Sequence, residues 1–222
     1  MIRKKKLTSI IGVRKGSQRV KNKNIRKFNS TTLLEIKIKQ LKKIRDIDEI
    51  IVSSDSDKML SIAKKLGVTT HKREAYYASS KANNSELFEN IASFIDSHFI
   101  MYSPVTAPLI KKETIEKCIN FLKKKSRYKS VATTRLIKEH MWLKNKPFNY
   151  KLSDSPSSEN LPDVMSITYG CCITKKTDML KFRNAITDKT KFFVLDEIEA
   201  IDIDTEIEFQ FAEFVHKKIS KK

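Results

Sequence analysis

The sequence predicts an α/β fold: a mostly parallel sheet with helices on both faces. Two observations carry this expectation. Short apolar runs alternate with longer stretches of helical period along most of the chain. In addition, 40% of the 222 residues are hydrophobic, with only four glycines and five prolines, which is enough apolar side chain for a packed core. A chain of this length supports one such core with a modest appendage, so residues 1–222 are read as a single domain.

Leu7–Val13 reads as a buried strand. Leu33–Ile44 follows as an amphipathic helix, with Leu33, Leu34, Ile36, Ile38, Leu41 and Ile44 at apolar positions. Glu49–Ser54 is a second strand, and Asp57–Leu66 a helix that Gly67 ends, because glycine takes the left-handed conformation a helix C-terminus requires. Asp55 and Asp57 at that junction read as a helix cap and first-turn acids. Val68–His71 reads as a short third strand, Ser85–Ser97 as a helix, His98–Ser103 as a strand, Lys111–Lys125 as a helix and Tyr128–Thr134 as a strand. Ile167–Thr174 and Lys191–Leu195 resume strand character, and Thr205–Lys218 is a terminal helix. In such sheets ligands bind beyond the carboxyl ends of the strands, so the loops that follow strands are where chemistry is expected.

From Lys138 to Asp163 the pattern lapses into a segment with three prolines and the only tryptophan, Trp142. A stretch of this length without helical period is a functional excursion, a disordered loop or an arm packing on another subunit. The net charge of +19 raises the alternative of a basic nucleic-acid-binding protein. The charge is mostly lysine spread over ordinary helix faces, however, which is the pattern of a solvated surface. Cys118, Cys171 and Cys172 form no CxxC pair, and the adjacent two cannot bridge easily, so a reducing compartment is expected. No apolar run reaches the ~20 residues of a membrane span, and the basic start runs straight into a strand, unlike a signal peptide. A cytoplasmic protein is the expectation.

Two motifs carry candidate chemistry. After the first strand, Val13–Asn24 supplies Arg14, Ser17, Arg19 and Lys23 around Gly16, whose bare backbone lets N–H groups approach an anion. The glycine spacing of a Walker A or dinucleotide-binding loop is absent. On composition alone, an exposed basic loop and a phosphate cradle fit equally well, and the position after the first strand favours the cradle. Near the other end, Asp202 and Asp204 lie two apart on an extended segment and project to one side, as ligands of a hard cation such as Mg²⁺ would. A helix cap, completed by a Thr205–Glu208 capping box, is the alternative for Asp204 but leaves Asp202 unexplained. The histidines follow no metal-binding spacing; His71, His98 and His216 read as core or surface residues, and His140 lies in the excursion.

Taken in order, these segments resemble the cytidylyltransferases that activate acidic sugars, the CMP-sialic acid (acylneuraminate) synthetases and their relatives for other nonulosonates and 3-deoxy-octulosonate. Arg14–Asn24 is similar to the family's R-x-G-S-K-R-x-x-x-K-N loop, Ile50–Asp55 to its I-V-S-T-D strand and Val105–Ile110 to its T-S-P-L segment. Glu159–Val164 is similar to the Q-x-L-P-x-V turn and Ile201–Thr205 to the closing D-I-D-T signature. The resemblance implies a Rossmann-like nucleotidyltransferase fold, with residues 135–165 as a dimerisation arm of a homodimer. It implies attack of a sugar hydroxyl on the α-phosphate of CTP, assisted by Mg²⁺ on Asp202 and Asp204. By motif position, Arg14, Ser17 and Lys23 would hold the triphosphate, and Asn24 would lie near the ribose. Arg73 and Ala82 would lie at the cytosine, and Thr106 and Lys144 on the sugar side. Arg14, Lys23 and Asp204 are the implied catalytic residues.

The departures concentrate at the acceptor end. Pro104 and Ala107 stand where the family has polar residues, Ser158 where sialate enzymes carry an arginine for the sugar carboxylate, and Ser80 where an aspartate is common. At the nucleotide end, Gly12 replaces a proline and Gln18 a lysine. An acceptor other than sialic acid, such as another 2-keto-3-deoxy sugar acid or a phosphonate, therefore stands beside the nonulosonate expectation.

Overall fold

The computed structural model describes residues 5–124 and 127–219. Seven strands form the main sheet: β1 (Leu7–Gly12), β2 (Glu49–Ser54), β3 (Thr69–Lys72), β4 (Phe99–Tyr102), β5 (Ser130–Ile137), β6 (Val164–Lys175) and β7 (Thr190–Val194). Their spatial order is β7-β5-β6-β4-β1-β2-β3. All neighbours run parallel except β6, which is antiparallel to both β4 and β5. The mostly parallel sheet read from the sequence is the one formed.

Alternation along the strands builds two core layers. Leu7 and Ile11 of β1 and Met101 of β4 enter one layer, while Ile10 and Ile100 enter the other. The first layer is closed by α1 (Leu33–Lys42) through Leu34, Ile38 and Leu41, α2 (Asp57–Lys65) through Met59, α4 (Lys112–Lys124) through Ile115 and Ile119, and α6 (Glu206–Ile219) through Phe209. The second is closed by α3 (Asn84–Phe94) through Phe88 and Ile91 and by α5 (Lys176–Phe182) through Met179.

Polar caps set the helix starts. Thr32 caps α1, Ser56 caps α2, and Asn83 with Glu86 forms a reciprocal capping box on α3. Gly67 follows α2 at φ 68, the left-handed geometry expected of it. The helix read as Ser85–Ser97 starts one residue earlier and stops at Phe94, where Ile95 turns extended. The end read at Lys125 lies outside the described residues. α5 and a short turn of helix at Ala75–Ala78 were not anticipated. β6 is longer than read, and its ladder with β5 is irregular between Ile167 and Cys172, where Tyr169 takes φ 54. The excursion holds a small hairpin, Trp142–Leu143 against Lys146–Pro147, and a turn at Ser158–Asn160.

This topology locates the site. From β1 the chain moves to β2 and β3 on one side, then returns to place β4 on the other side of β1. The crevice beyond the carboxyl ends of β1 and β4 is the switch point where open α/β sheets bind ligands. Among the described residues no helix is long and apolar enough to cross a membrane.

Candidate functional site

The loop leaving β1 encloses a cleft of about 350 Å³, whose walls carry Arg14, Ser17, Arg19, Lys23 and Asn24. The loop is tied at several points, which separates it from a merely exposed basic run. Val13 and Val20 are buried anchors. The Asn24 side-chain amide donates to the Arg14 carbonyl at 2.9 Å, pinning one end of the loop to the other. The Lys15 backbone N–H donates to Asp55 Oδ1 at 3.0 Å, and Gly16 takes φ 75, where a side chain would be strained. Arg14 Nη1 donates to the Ala78 carbonyl at 3.0 Å.

The acidic segment closes the opposite side. Ile203 is fully buried, so Asp202 and Asp204 flank an inward-pointing residue and share the other side of an extended segment. The Ile203 N–H donates to the Thr106 carbonyl at 2.9 Å. Lys23 Nζ donates to the Ile203 carbonyl at 2.6 Å and lies 3.6 Å from Asp204, which Arg19 also meets at 2.7 Å. Two segments about 180 positions apart thus form one site.

The capping box and the acidic pair coexist. Glu208 Oε2 accepts from the backbone N–H groups of Asp204 and Thr205, and Thr205 Oγ1 accepts from that of Glu208. The cap therefore uses only the backbone of Asp204, and its carboxylate turns to Arg19 and Lys23 at the cleft. Asp202 is left over in a more telling way: its Oδ1 is buried with no hydrogen-bond partner among the described residues. Burial pushes its pKa up, with the Thr106 hydroxyl opposing, while burial lowers that of Lys23 against the pull of Asp204 and Asp202. An unpartnered buried acceptor costs ~1–3 kcal/mol, and a cation relieves that cost. Among the described residues no cluster of three or more acidic, histidine or cysteine ligands occurs. The two carboxylates of Asp202 and Asp204 suit an ion such as Mg²⁺, which takes one or two carboxylates and completes its shell with substrate phosphates and water.

The other predicted residues fall in distinct places. Arg73 is buried at the end of β3, its Nε on the Ser53 hydroxyl at 3.1 Å and its Nη2 on the Ser53 carbonyl at 2.8 Å. Gly12 makes room for it, since a Cβ there would lie 3.0 Å from Nη2. Ala82 is half-buried just before the cap of α3. Thr106 lies beside Asp202, its hydroxyl facing that carboxylate. Lys144 is not brought to the cleft: it is exposed at the tip of the excursion hairpin, at φ 51. Ser158 sits in the exposed turn before Leu161.

Two residues of the site escaped the sequence reading. Asp55 anchors the loop that leaves β1, whereas the cap of α2 is Ser56. Lys37 is fully buried, its Nζ donating to Gln40 Oε1 at 2.7 Å and to the Ala107 carbonyl at 2.8 Å, and burial lowers its pKa to about 7. It braces the Ala107 carbonyl, one residue beyond the Thr106 carbonyl on which the Asp202 segment hangs.

A tethered basic loop at the switch point of a mostly parallel sheet, faced by two acids, is an arrangement suited to a nucleotide-dependent transferase. The sequence profile of the cytidylyltransferase family matches residues 8–209, and the chain belongs to that family. It is 26% identical over 220 residues to the post-translational flagellin modification protein B of Campylobacter coli, covering 94% of each chain. It is 27% identical over 217 residues to the CMP-N,N'-diacetyllegionaminic acid synthase of Campylobacter jejuni, covering 92% of each. The fold matches the 4-diphosphocytidyl-2C-methyl-D-erythritol synthase of Anaerococcus prevotii with TM-score 0.72 at 18% identity, covering 96% of both chains. It also matches a CMP:2-keto-3-deoxy-manno-octonic acid synthetase solved with CTP, with TM-score 0.71 at 9% identity, covering 96% of this chain and 99% of that one.

Proposed function

We propose that this protein transfers the cytidylyl group of CTP to an acidic sugar of the nonulosonate class. The sugar's anomeric hydroxyl oxygen bonds to the α-phosphorus, and pyrophosphate leaves. The observation that carries the reading is the convergence of the Arg14–Asn24 loop with Asp202 and Asp204 through Lys23 and Arg19. The full-length likeness to a CMP-N,N'-diacetyllegionaminic acid synthase supports the acceptor class.

In this reading Arg14, Ser17 and Lys23 hold the triphosphate. Asn24 keeps the loop closed near the ribose, and Arg73 and Ala82 lie on the cytosine side. Asp202 and Asp204 would hold Mg²⁺, which when bound neutralises charge developing on the leaving pyrophosphate. Holding the ion would require Asp204 to give up its contact with Arg19, and because that pair is largely exposed the exchange would cost less than ~1 kcal/mol. Arg19 would then be available to the phosphates. Thr106 keeps Asp202 oriented toward the acceptor side.

Lys144 would act across a homodimer, with residues 135–165 as the arm. Trp142, Leu143, Phe148 and Leu152 are exposed apolar residues on that arm, as an arm awaiting a second copy requires. The cytoplasm is the compartment this reading implies, and buried free thiols at Cys118, Cys171 and Cys172 suit it.

Pyrophosphate release tests the reading. With Mg²⁺, CTP should support release only when a nonulosonate is added, and ATP, GTP and UTP should not. The apolar Ala107 and the displaced Ser158 favour a second reading, in which the acceptor is another 2-keto-3-deoxy acid or a phosphonate. Release with one of those alone would select it, and no release with any of these acceptors would overturn both.

A further inference from the structure

We propose that Arg135 binds the carboxylate of the acceptor, in the cleft at the carboxyl ends of β5 and β7. The proposal rests on the acidic-sugar reading above and names the residue that recognises the acid.

The chemistry of the acceptor restricts where such a residue can be. In the ring form of a 2-keto sugar acid, the carboxylate is bonded to the same carbon that carries the attacking hydroxyl. Its cation must therefore stand beside the metal end of the site, whatever holds the rest of the sugar. Ser158 cannot serve, being a neutral side chain on an exposed turn.

A cleft of about 710 Å³ lies between Arg135–Glu139 and Val194–Ile201, within the range of small-molecule sites. Ile201 on its wall leads directly into Asp202, so this cleft adjoins the acidic pair. Its apolar wall, with Leu136, Val194 and Ile201, suits acyl methyl groups. Glu139, Asp196 and Glu197 also line the cleft, so a carboxylate is held there only against a cation that is not already paired.

The cations nearby are mostly engaged. Lys138 is held by Asp163 and the Leu161 carbonyl, each at 2.6 Å, and Lys111 by Asp196 and Glu199 at 2.6 and 3.0 Å. The Arg135 side chain is exposed and forms no hydrogen bond or ion pair among the described residues. Its charge reaches Glu208, the residue that caps Asp204 and Thr205, which sets it near the metal end. Strand pairing of Arg135 with Ser166 of β6 fixes its backbone, and a guanidinium offers a carboxylate two parallel N–H donors.

The test compares wild type, Arg135→Lys and Arg135→Met with N,N'-diacetyllegionaminic acid and its methyl ester as acceptors. Arg135→Met should raise the KM for the acid about 10- to 100-fold and leave the KM for CTP unchanged. Wild type should discriminate strongly against the ester, Arg135→Met should not, and Arg135→Lys should recover part of the preference. A CTP-induced rise in melting temperature shows that each variant is folded. An unchanged KM for the acid in Arg135→Met, or an acid-over-ester preference that survives it, overturns the proposal. Failure of the acidic-sugar reading itself is distinguishable, because it shows in wild type as no release with the acid, and the carboxylate role falls with it.

Discussion

Lys37 shows how much a single residue can reveal once its surroundings are known. In the sequence it is one lysine among many, yet it falls three after Leu34 and four before Leu41, on the stripe that α1 buries. That spacing was a signal, and the surrounding lysines hid it. Its ammonium reaches the Ala107 carbonyl through the core, and desolvation lowers its pKa from 10.5 to about 7. Between those values the unfolded chain keeps a proton that the folded chain has lost, so this group makes stability rise with pH across the window, by up to ~1.4 kcal/mol per unit. Urea unfolding of wild type and Lys37→Met should show their difference shifting in favour of wild type from pH 7 to pH 10. An invariant difference would mean that Lys37 titrates as it does in water. Arg14, Ser17, Lys23, Asp202 and Asp204 were legible because motif order and strand alternation place them. Arg135 was not, because its importance depends on which neighbouring cations are already paired.

Among the elements, α6 does two tasks with one set of side chains. Thr205 and Glu208 cap it, and the same cap aligns the backbone of Asp204. Thr205→Ala should cost about 1 kcal/mol of stability and raise the Mg²⁺ concentration needed for half-maximal pyrophosphate release. Full stability loss with an unchanged Mg²⁺ requirement would separate the cap from the site. Most strands and long helices were readable, since two-residue and helical periods are strong over long spans. α5 was missed because it is seven residues long and buries only Met179. β6 was read short because its first half pairs with a β5 extension that is mostly exposed, with little apolar periodicity to mark it. The excursion hairpin turns on Lys144 and Asn145, both at positive φ, and a lysine gives no warning of such a turn.

For the whole molecule, exposed Trp142 and Leu143 on the arm lead to a dimer prediction. Sedimentation velocity should give a dimer for wild type and a monomer for Trp142→Ser with Leu143→Ser. The variant should keep its CTP-dependent melting shift but lose turnover, because Lys144 would no longer reach a neighbour's acceptor. A monomeric wild type with full turnover would remove the arm from the mechanism. The formal charge of +19, the most conspicuous bulk property, proved the least informative about this architecture, since the site is defined by how a few cations are tethered. That tethering also sets a timetable. Lys23 meets Ile203, Arg26 meets Glu206 and Asn29 meets Glu213, all across more than 170 intervening residues. A chain emerging from the ribosome can assemble β1, β2 and β3 early, but the loop after β1 stays open on one side until residues 203–213 are made. The closed site therefore waits on long-range contacts, and a nascent chain stalled before Asp202 would carry the loop without its acidic partner.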